Sequence, residues 1–464
     1  MLLLDVTVVN VALPDIQRDL DASFSQLQWV IDAYALSLAA LVLTAGSLAD
    51  LHGRRLLFAG GVLVFTLGSL LCGISPSAAF LDLSRGIQGI GGAMMFATSL
   101  ALLAHEFHGR DRGTAFGIWG ATTGSAVAIG PLVGGLVTET VGWRWIFLLN
   151  VPIGAAALAV TLFRVGESRD PGHGGIDVPG VLSFTGGLFL LVFGLVRGNN
   201  EGWGSPQIVG VLTTSAVLLV AFVLIELRSS RPMLDPRLFR RPAFAGAQIA
   251  AFALSASAFS MFLYFTLYLQ NVLGYSPLQT GLRFLPITLL SFVVAPISGK
   301  LSAHTPVRLL IGAGLAICTL AFVLLHGLTV SSGWTALLPG FLLLGVGIGL
   351  VNPPLASAAV SVVPPQATGM GSGANTTSRQ VGIATGIALL GAVLEHHLAA
   401  TLGPAGHGVV AGFVRPGLRE RADAAFVSGL NELFVIAAVI AAVGTVATFV
   451  LIRSRDFYRR GAAG

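Results

Sequence analysis

The sequence has 464 residues, of which 54% are hydrophobic and only 10% are charged. Soluble domains carry roughly 25% charged residues, so the composition excludes an ordinary soluble protein. The 26 basic residues form no run longer than a pair, which argues against a nucleic-acid surface. At about 20 apolar residues for each membrane-crossing helix, the length allows roughly 14 or 15 crossings.

The predicted elements are apolar runs bounded by glycine, proline or clusters of charge. These runs are continuous rather than alternating, which favours membrane-spanning helices over barrel strands. The sequence therefore predicts an all-α polytopic membrane protein. In chain order, the fourteen predicted helices cover 1–13, 29–49, 55–74, 78–103, 114–137, 144–164, 179–197, 207–226, 244–268, 281–300, 306–328, 334–357, 371–394 and 430–452.

The distribution of arginine and lysine predicts the orientation of these helices. With an even number of spans, 17 basic residues lie on the side that holds both termini and 7 on the other side, while Arg85 and Arg379 fall inside spans. Basic residues concentrate in cytoplasmic loops, so both termini are expected in the cytoplasm. The largest outer loop, 395–429, has mixed charge.

An internal repeat divides the chain. The segment Gly46–Leu57 matches Gly299–Leu310 at five of twelve positions, an offset of 253, and the segments around Gly86 and Thr122 repeat at an offset of 254. The halves run in the same direction, as in the parallel repeats of some transporter folds. The predicted plan is two six-helix halves joined by a linker with two transmembrane helices, at 1–164, 165–243 and 244–464.

The first predicted span is too short to cross a bilayer. Its 13 residues give roughly 20 Å of helix, against a hydrocarbon core of about 30 Å. The second half begins near Phe244, and subtracting the repeat offset of 253 places the corresponding start at position −9, before the sequence begins. We therefore expect that the native chain starts earlier, so that the first span is truncated here.

Enzymatic and cofactor chemistry find no support in the sequence. The only lysine, Lys300, precedes Leu301 rather than Ser or Thr, so there is no phosphate-binding P-loop. Cys72 and Cys318 lie in apolar segments without metal-ligand spacing, and no serine or cysteine triad stands on a plausible scaffold. The sequence predicts no enzyme, no metal and no cofactor.

Charged residues inside spans are costly and are functional candidates by default. Asp5 lies roughly 13 Å below the outer surface, counted from Pro14 at about 1.5 Å per residue, and Arg85 lies at a similar depth in its own span. The two are expected to meet, either as a proton-coupling pair or as a purely structural salt bridge. Asp32, one turn inside its span, is either a third proton-coupling group or a water-exposed carboxylate. Arg379 is the other intramembrane charge.

The segment Gly46–Arg55 predicts a tight cytoplasmic turn between two spans. Gly53 permits the turn, and Asp50 is placed either to cap a helix or to pair with a nearby arginine such as Arg54. We interpret the segment as a charge latch that forms in one conformation and breaks in another, with Asp111 as a second anion. The alternative is simple anchoring of a hairpin. The predicted latch residues are Gly46, Asp50, Gly53, Arg54, Arg55 and Asp111.

The fifth span is rich in glycine. Small residues four apart allow helices to approach closely, and a proline removes one backbone hydrogen bond and favours a hinge. Tight packing without a functional role is the alternative. The residues that form this pattern are Gly124, Gly130, Pro131, Gly134 and Gly135.

Together these segments resemble the fourteen-span drug:proton antiporters of the major facilitator superfamily. Gly46–Arg55 resembles the signature loop of that superfamily, with Leu51 where a basic residue is usual. Leu83–Gly91 resembles the fourth-span motif, whose arginine is implicated in proton transfer. Gly130–Gly135 resembles the fifth-span motif of exporters, and Leu4–Pro14 the first-span motif of the fourteen-span branch. Two further segments, Trp143–Pro152 and Ser276–Pro286, are similar to family segments.

The resemblance implies export of small amphipathic or cationic toxic compounds in exchange for protons, by a monomer in a bacterial inner membrane. The partners would be the substrate, protons and the bilayer, with no nucleic acid, and the energy would come from the transmembrane proton gradient. The substrate site is expected near the midplane between the halves. Simple helix packing is the alternative for the candidate cavity residues, which are Asn10, Tyr264, Tyr268, Asn352, Asn375 and Arg379.

Two other interpretations stay open at this point. The first is a dedicated efflux pump for one secondary metabolite or antibiotic. The second is a membrane sensor or assembly scaffold that transports nothing, which the buried charges and the Gly-Pro span disfavour. Transport by reconstituted vesicles distinguishes these classes, because a sensor would move no dye in response to a pH gradient.

Overall fold

The computed structural model of the chain describes residues 1–22, 24–107, 109–168, 177–229, 232–302, 304–364, 368–403 and 418–453. Within these ranges every regular element is a helix. The first seven helices, which we call the N-half, are α1 Leu2–Leu20, α2 Phe24–His52, α3 Arg54–Gly73, α4 Ala78–Glu106, α5 Gly109–Val141, α6 Arg144–Leu148 and α7 Asn150–Arg164.

The rest of the chain forms two linking helices and a second bundle. The linking helices are α8 Val178–Glu201 and α9 Pro206–Arg228. The second bundle, which we call the C-half, consists of α10 Pro242–Leu254, α11 Ser260–Leu267, α12 Pro277–Leu301, α13 Val307–Leu325, α14 Leu338–Ser361, α15 Thr368–Leu402 and α16 Arg419–Leu451.

Twelve helices among the described residues are long and apolar enough to cross a membrane. They coincide with twelve of the fourteen predicted spans, and the predicted all-α membrane fold is confirmed. The other two predicted spans are also helical, as α1 and α5, but do not count among the twelve. α1 carries Asp5, Asp15, Arg18 and Asp19, and the described residues of α5 include one apolar stretch, Leu132–Val141.

Some predicted boundaries were wrong. α1 continues through position 14 to Leu20, because helical hydrogen bonding persists into the polar residues that follow the apolar run. A π-helical turn, Ser255–Phe259, interrupts the ninth predicted span, and a second, Tyr268–Val272, begins at its last residue. Such turns have no sequence signature in an apolar run, and they frequently accompany functional positions.

The helices run alternately between two ends of the bundle, which we name after the tight turns found there. At the Gly53 end, α2 joins α3 and α15 begins; at the Gly142 end, α5 joins α6. The halves contact each other mainly where α5 packs on α12 and α2 packs on α15. Linking helix α8 packs on both α2 and α15. Side chains that face outward are largely apolar, including Phe163, Leu182 and Leu83, as expected for a lipid-facing surface.

Candidate functional site

A buried charge network lies inside the N-half. The Arg85 guanidinium on α4 is 1% exposed and Asp5 on α1 is 3% exposed. Arg85 Nη1 donates a hydrogen bond to Asp5 Oδ2, so the predicted pair is in contact. Arg85 Nε donates to the carbonyl oxygen of Val30 at 2.9 Å, and the guanidinium lies 4.3 Å from the centre of the Tyr34 ring. The arginine is therefore fixed between α1 and α2.

Two amide side chains complete this network. Gln88 Nε2 donates to Asp5 Oδ1 at 3.1 Å, and its own Oε1 accepts from Arg85 Nη1 at 2.6 Å. Asn150 Nδ2, from α7, donates to the same Asp5 oxygen at 3.2 Å. Both amides also donate to Ser69 Oγ on α3. The Phe147 ring of α6 lies 5.7 Å from the guanidinium, so six of the seven helices of the N-half supply a group to the network or to the shell around Arg85 among the described residues.

Sequence analysis gave Gln88 and Asn150 no role, although both stand in segments that resemble family motifs. Both could have been identified as candidates from their chemistry, because an amide side chain buried in an apolar span needs a hydrogen-bond partner. Their depth matches that of the Asp5–Arg85 pair, and an amide can both donate to a carboxylate and accept from a guanidinium. They hold the two charged groups in place.

Glycines of α5 seat the helix that carries Asp5. A Cβ atom at Gly130 would lie 1.7 Å from Thr7 Oγ1, and one at Gly134 would lie 3.0 Å from the carbonyl oxygen of Val8. Only glycine permits this approach of α5 to α1. Gly135 instead faces α12 of the C-half, where the nearest atom is Leu278 Cβ at 3.9 Å. Gly130 and Gly134 therefore position the helix that carries Asp5.

Asp32 is paired with a linking helix. It is 9% exposed, and Arg197 Nε of α8 lies 4.0 Å from its Oδ2. The Arg197 guanidinium also lies 5.0 Å from the centre of the Trp29 ring. The predicted span ended at residue 197, but α8 extends to Glu201, and Arg197 is buried against α2. Asp32 does not join the Asp5 network by any recorded contact.

The predicted latch closes the Gly53 end between the halves. Arg54 donates to Asp50 Oδ1 from Nε at 2.9 Å and from Nη2 at 2.7 Å. The same carboxylate accepts the backbone N–H groups of Gly369 and Met370, each at 3.0 Å. These N–H groups belong to the first turn of α15, which lacks intrahelical partners and attracts negative charge. Asp50 therefore bridges α2 and α3 of the N-half to α15 of the C-half.

Glycines allow α2 and α15 to meet at this end. A Cβ atom at Gly46 would lie 2.5 Å from the carbonyl oxygen of Gly369, and one at Gly369 would lie 2.5 Å from Asp50 Oδ1. The halves thus touch backbone to backbone beside the charge pair.

A second carboxylate supports the turn from within the N-half. Gly53 has φ of 116°, a conformation that L side chains rarely adopt. Glu167, after α7, accepts the backbone N–H groups of Arg55 and Leu56 at 3.1 and 3.2 Å and so caps α3. Sequence analysis missed Glu167. Asp111, the predicted second anion, lies exposed in the first turn of α5.

The C-half contains a different polar cluster. Arg379 on α15 donates from Nη1 to Asn352 Oδ1 on α14 at 2.9 Å and from Nε to Asn375 Oδ1 at 3.2 Å. Three of the predicted cavity residues are thus brought together. A Cβ atom at Gly120 of α5 would lie 3.4 Å from the Cβ of Asn352, so the cluster lies beside the N-half.

The other predicted cavity residues have different surroundings. Tyr264 donates to the carbonyl oxygen of Ile387 at 2.6 Å, and Tyr268 to that of Ser332 at 2.9 Å. Both rings belong to the apolar core of the C-half, which favours a packing role. The side chains of Asn10, Gly124 and Pro131 lie outside the described residues, as do residues 404–417 of the predicted outer loop.

Comparisons with known proteins agree on one family. The model for the Major Facilitator Superfamily matches residues 1–387. The Multidrug resistance protein Stp of Mycobacterium tuberculosis is 40% identical over 405 residues, which cover 87% of this chain and 75% of that protein. The Puromycin resistance protein pur8 of Streptomyces alboniger is 38% identical over 413 residues, covering 88% and 82%. The crystal structure of the human organic anion transporter MFSD10 has a similar fold, with a TM-score of 0.63, 16% identity, and coverage of 95% and 96%.

Proposed function

Because the chain belongs to the Major Facilitator Superfamily, we propose that it is a proton-coupled exporter of small toxic compounds. The printed names of its relatives, a multidrug resistance protein and a puromycin resistance protein, support export of drugs or antibiotics. The observation that carries proton coupling is the buried contact of Asp5 with Arg85. A carboxylate buried in an apolar bundle beside an arginine can take up a proton when the two groups separate.

The proposed topology has fourteen spans. α1 and α5 are helical and pack inside the bundle, and with the twelve apolar helices they make fourteen. The excess of arginine at the Gly53 end supports a cytoplasmic position for that end and for both termini. The similarity to bacterial relatives favours a bacterial inner membrane, and the intramolecular site favours function as a monomer.

The proposed proton step takes place at Asp5 Oδ2. Burial disfavours a charged carboxylate and a neighbouring guanidinium favours it. When Arg85 donates to Asp5, as it does here, the carboxylate is stabilised without a proton. When helix motion withdraws Arg85, the buried carboxylate takes up a proton from the outer side. Return of the guanidinium then releases that proton to the cytoplasm. Asp32, closer to the Gly142 end and balanced by Arg197, is placed to relay protons from outside.

In the proposed cycle, the Asp50 contact controls whether the two halves are joined at the Gly53 end. With Asp50 bound to the first turn of α15, the halves are joined at the proposed cytoplasmic end. Loading of substrate from the cytoplasm requires that this contact break, and export requires that it re-form behind the substrate. Antiport follows if protonation of Asp5 favours the state in which the contact is broken, and if substrate binding favours its return.

Proton release on addition of substrate tests this proposal. Protein purified in detergent is mixed with a transported dye in weakly buffered solution, and released protons are counted for the parent and for Asp5→Asn. We expect the parent to release protons and Asp5→Asn to release almost none. If Asp5→Asn releases as many protons as the parent, the carrier lies elsewhere and Asp32 becomes the leading candidate.

A further inference from the structure

The Arg379 cluster has more hydrogen-bond donors than acceptors. Arg379 is 6% exposed, and Asn352 and Asn375 are fully buried. Both asparagine oxygens accept from the guanidinium, which turns the amide nitrogens away from it. In the described part of the chain, Arg379 Nη2 and the Nδ2 atoms of both asparagines find no acceptor. Three donors from two helices are therefore left unsatisfied in one place.

The cluster also has an unbalanced charge. Among the described residues, no carboxylate lies within ion-pair distance of Arg379, whereas the similarly buried Arg85 contacts Asp5. A buried cation without an anion costs several kcal/mol, and each unpaired buried donor adds to that cost. The cluster would be stabilised by an anionic group that enters it and accepts hydrogen bonds from the free donors.

The cluster lies near the middle of the membrane core, at the junction between the halves. Arg379 is eleven residues into α15, about 16 Å from the Gly53 end of that helix and so near the middle of a 30 Å core. Ser372 and Thr376 precede it at helical spacing on the same face, and their hydroxyl groups also lack partners in the described structure. Gly120 of the N-half lies against Asn352, so the polar face meets the junction between the halves.

We propose that Arg379, Asn352 and Asn375 form an anion-binding subsite, and that the exported compounds carry a carboxylate, a phenolate or a comparable anionic group. This inference rests on the proposed export function and narrows its substrate class. Arg379 provides the charge, and the two amides and the hydroxyl groups of α15 fix the orientation of the bound group. The cationic compounds expected from the sequence are disfavoured at this position, because the same charge repels them.

The test compares two dyes that share the flat xanthene skeleton, anionic fluorescein and cationic rhodamine 123. Fluorescence anisotropy gives the Kd of each dye for the purified chain in phosphatidylcholine nanodiscs, which contain no anionic lipid. The variants are Arg379→Gln, which keeps donors but removes the charge, and Arg379→Lys, which keeps the charge. Arg308→Gln is the control, because it removes an exposed arginine at the start of α13.

We expect the parent to bind fluorescein at least tenfold more tightly than rhodamine 123. Arg379→Gln is expected to weaken fluorescein binding by about tenfold or more, the value of a charge-assisted hydrogen bond, and to leave rhodamine 123 binding unchanged. Arg379→Lys is expected to retain part of the affinity, and Arg308→Gln all of it. The proposal is overturned if the parent prefers rhodamine 123 or binds neither dye, or if Arg379→Gln weakens both dyes equally.

Two further results separate this inference from the proposed function. If Arg379→Gln does not fold, the preference of the parent between the two dyes decides the inference alone. The same dyes are then followed in vesicles with an imposed pH gradient. If fluorescein binds through Arg379 but no dye moves, export fails and the anion subsite stands. If rhodamine 123 moves and fluorescein does not bind, the subsite fails and export stands.

Discussion

Two buried arginines, one in each half, have opposite surroundings. Arg85 contacts a carboxylate, and amide groups satisfy both members of the pair. Arg379 contacts only amide oxygens and keeps free donors in the described structure. A satisfied ion pair is poised to exchange a proton when its members separate, whereas an unbalanced cation is poised to accept an anion. Under the two proposals above, the N-half handles the proton and the C-half binds the charge of the substrate.

Removing each charge in turn gives the largest expected difference. Arg85→Gln leaves Asp5 as a buried carboxylate without its cation, which typically costs about 3–5 kcal/mol. We expect a large fall in thermal stability and no pH-driven export. Arg379→Gln removes a cation that lacks an anion, so thermal stability should stay the same or rise. Thermal melting of both purified variants checks this, and the double variant Asp5→Asn/Arg85→Gln should recover stability but not export.

Equal destabilisation by Arg85→Gln and Arg379→Gln would contradict the comparison, because it would mean that both arginines are balanced to the same degree. Greater destabilisation by Arg379→Gln would reverse the assignment of the two halves.

Moving α1 should disturb the N-half alone. In Gly130→Ala the new Cβ would lie 1.7 Å from Thr7 Oγ1, so α1 must shift and carry Asp5 with it. We expect pH-driven export to fall by tenfold or more, while fluorescein binding at Arg379 is preserved. Gly135→Ala is the matched control in the same helix, since its Cβ would meet nothing closer than 3.9 Å. Normal export by Gly130→Ala would show that the position of α1 is not critical.

The sequence predicted the helices well because apolar runs record burial in lipid directly. It also predicted that Asp5 and Arg85 meet, although α1 extends six residues beyond Pro14, from which the depth was counted. Helix ends are weakly encoded, since backbone hydrogen bonds continue past the apolar run. The prediction that Asp5 contacts Arg85 was still correct, although the end of α1 was predicted wrongly, because two opposite charges in an apolar bundle have few other partners.

Contacts with the main chain were not predictable in the same way. Asp50 was expected to pair with Arg54, which it does, but its bonds to the N–H groups of Gly369 and Met370 join the halves. Backbone groups leave no signature in a sequence, and neither does the approach of two helices 319 residues apart. Tyr264 and Tyr268 illustrate the same limit, because their hydroxyl groups bind main-chain carbonyls rather than a cavity.

The Asp50 contact should affect both halves together, since it joins them. Asp50→Asn keeps one oxygen acceptor but loses the charge that binds Arg54 and the first turn of α15. We expect a folded protein with a severalfold slower cycle and a population shifted towards opening at the Gly53 end. Spin-label distances between α2 and α15 measure this shift, with Glu139→Gln, an exposed acidic residue near the Gly142 end of α5, as control. An unchanged distance distribution together with a normal rate would eliminate the latch.

The smallest effect on stability and export is expected from a substitution at the Gly142 end. Hydrogen bonds from Arg144 and Trp143 lower the pKa of Asp19, which lies on the surface. A lowered pKa means that this contact stabilises the fold above about pH 4 and is lost only as the pH falls through that lowered value. Asp19→Asn should therefore cost at most about 1 kcal/mol and leave the pH profile of export between pH 5 and 8 unchanged. A shifted profile would mean that a surface carboxylate contributes to coupling.

Dye accumulation driven by a pH gradient tests the central claim most directly, because it asks whether the Asp5 carboxylate carries the coupling proton. Proteoliposomes with an acidic interior are supplied with fluorescein and rhodamine 123, with and without an ionophore that collapses the gradient. The account predicts that the parent accumulates dye only while the gradient lasts. It predicts that Asp5→Asn loses this accumulation but still exchanges dye across the membrane. Accumulation by Asp5→Asn at the rate of the parent would contradict the account.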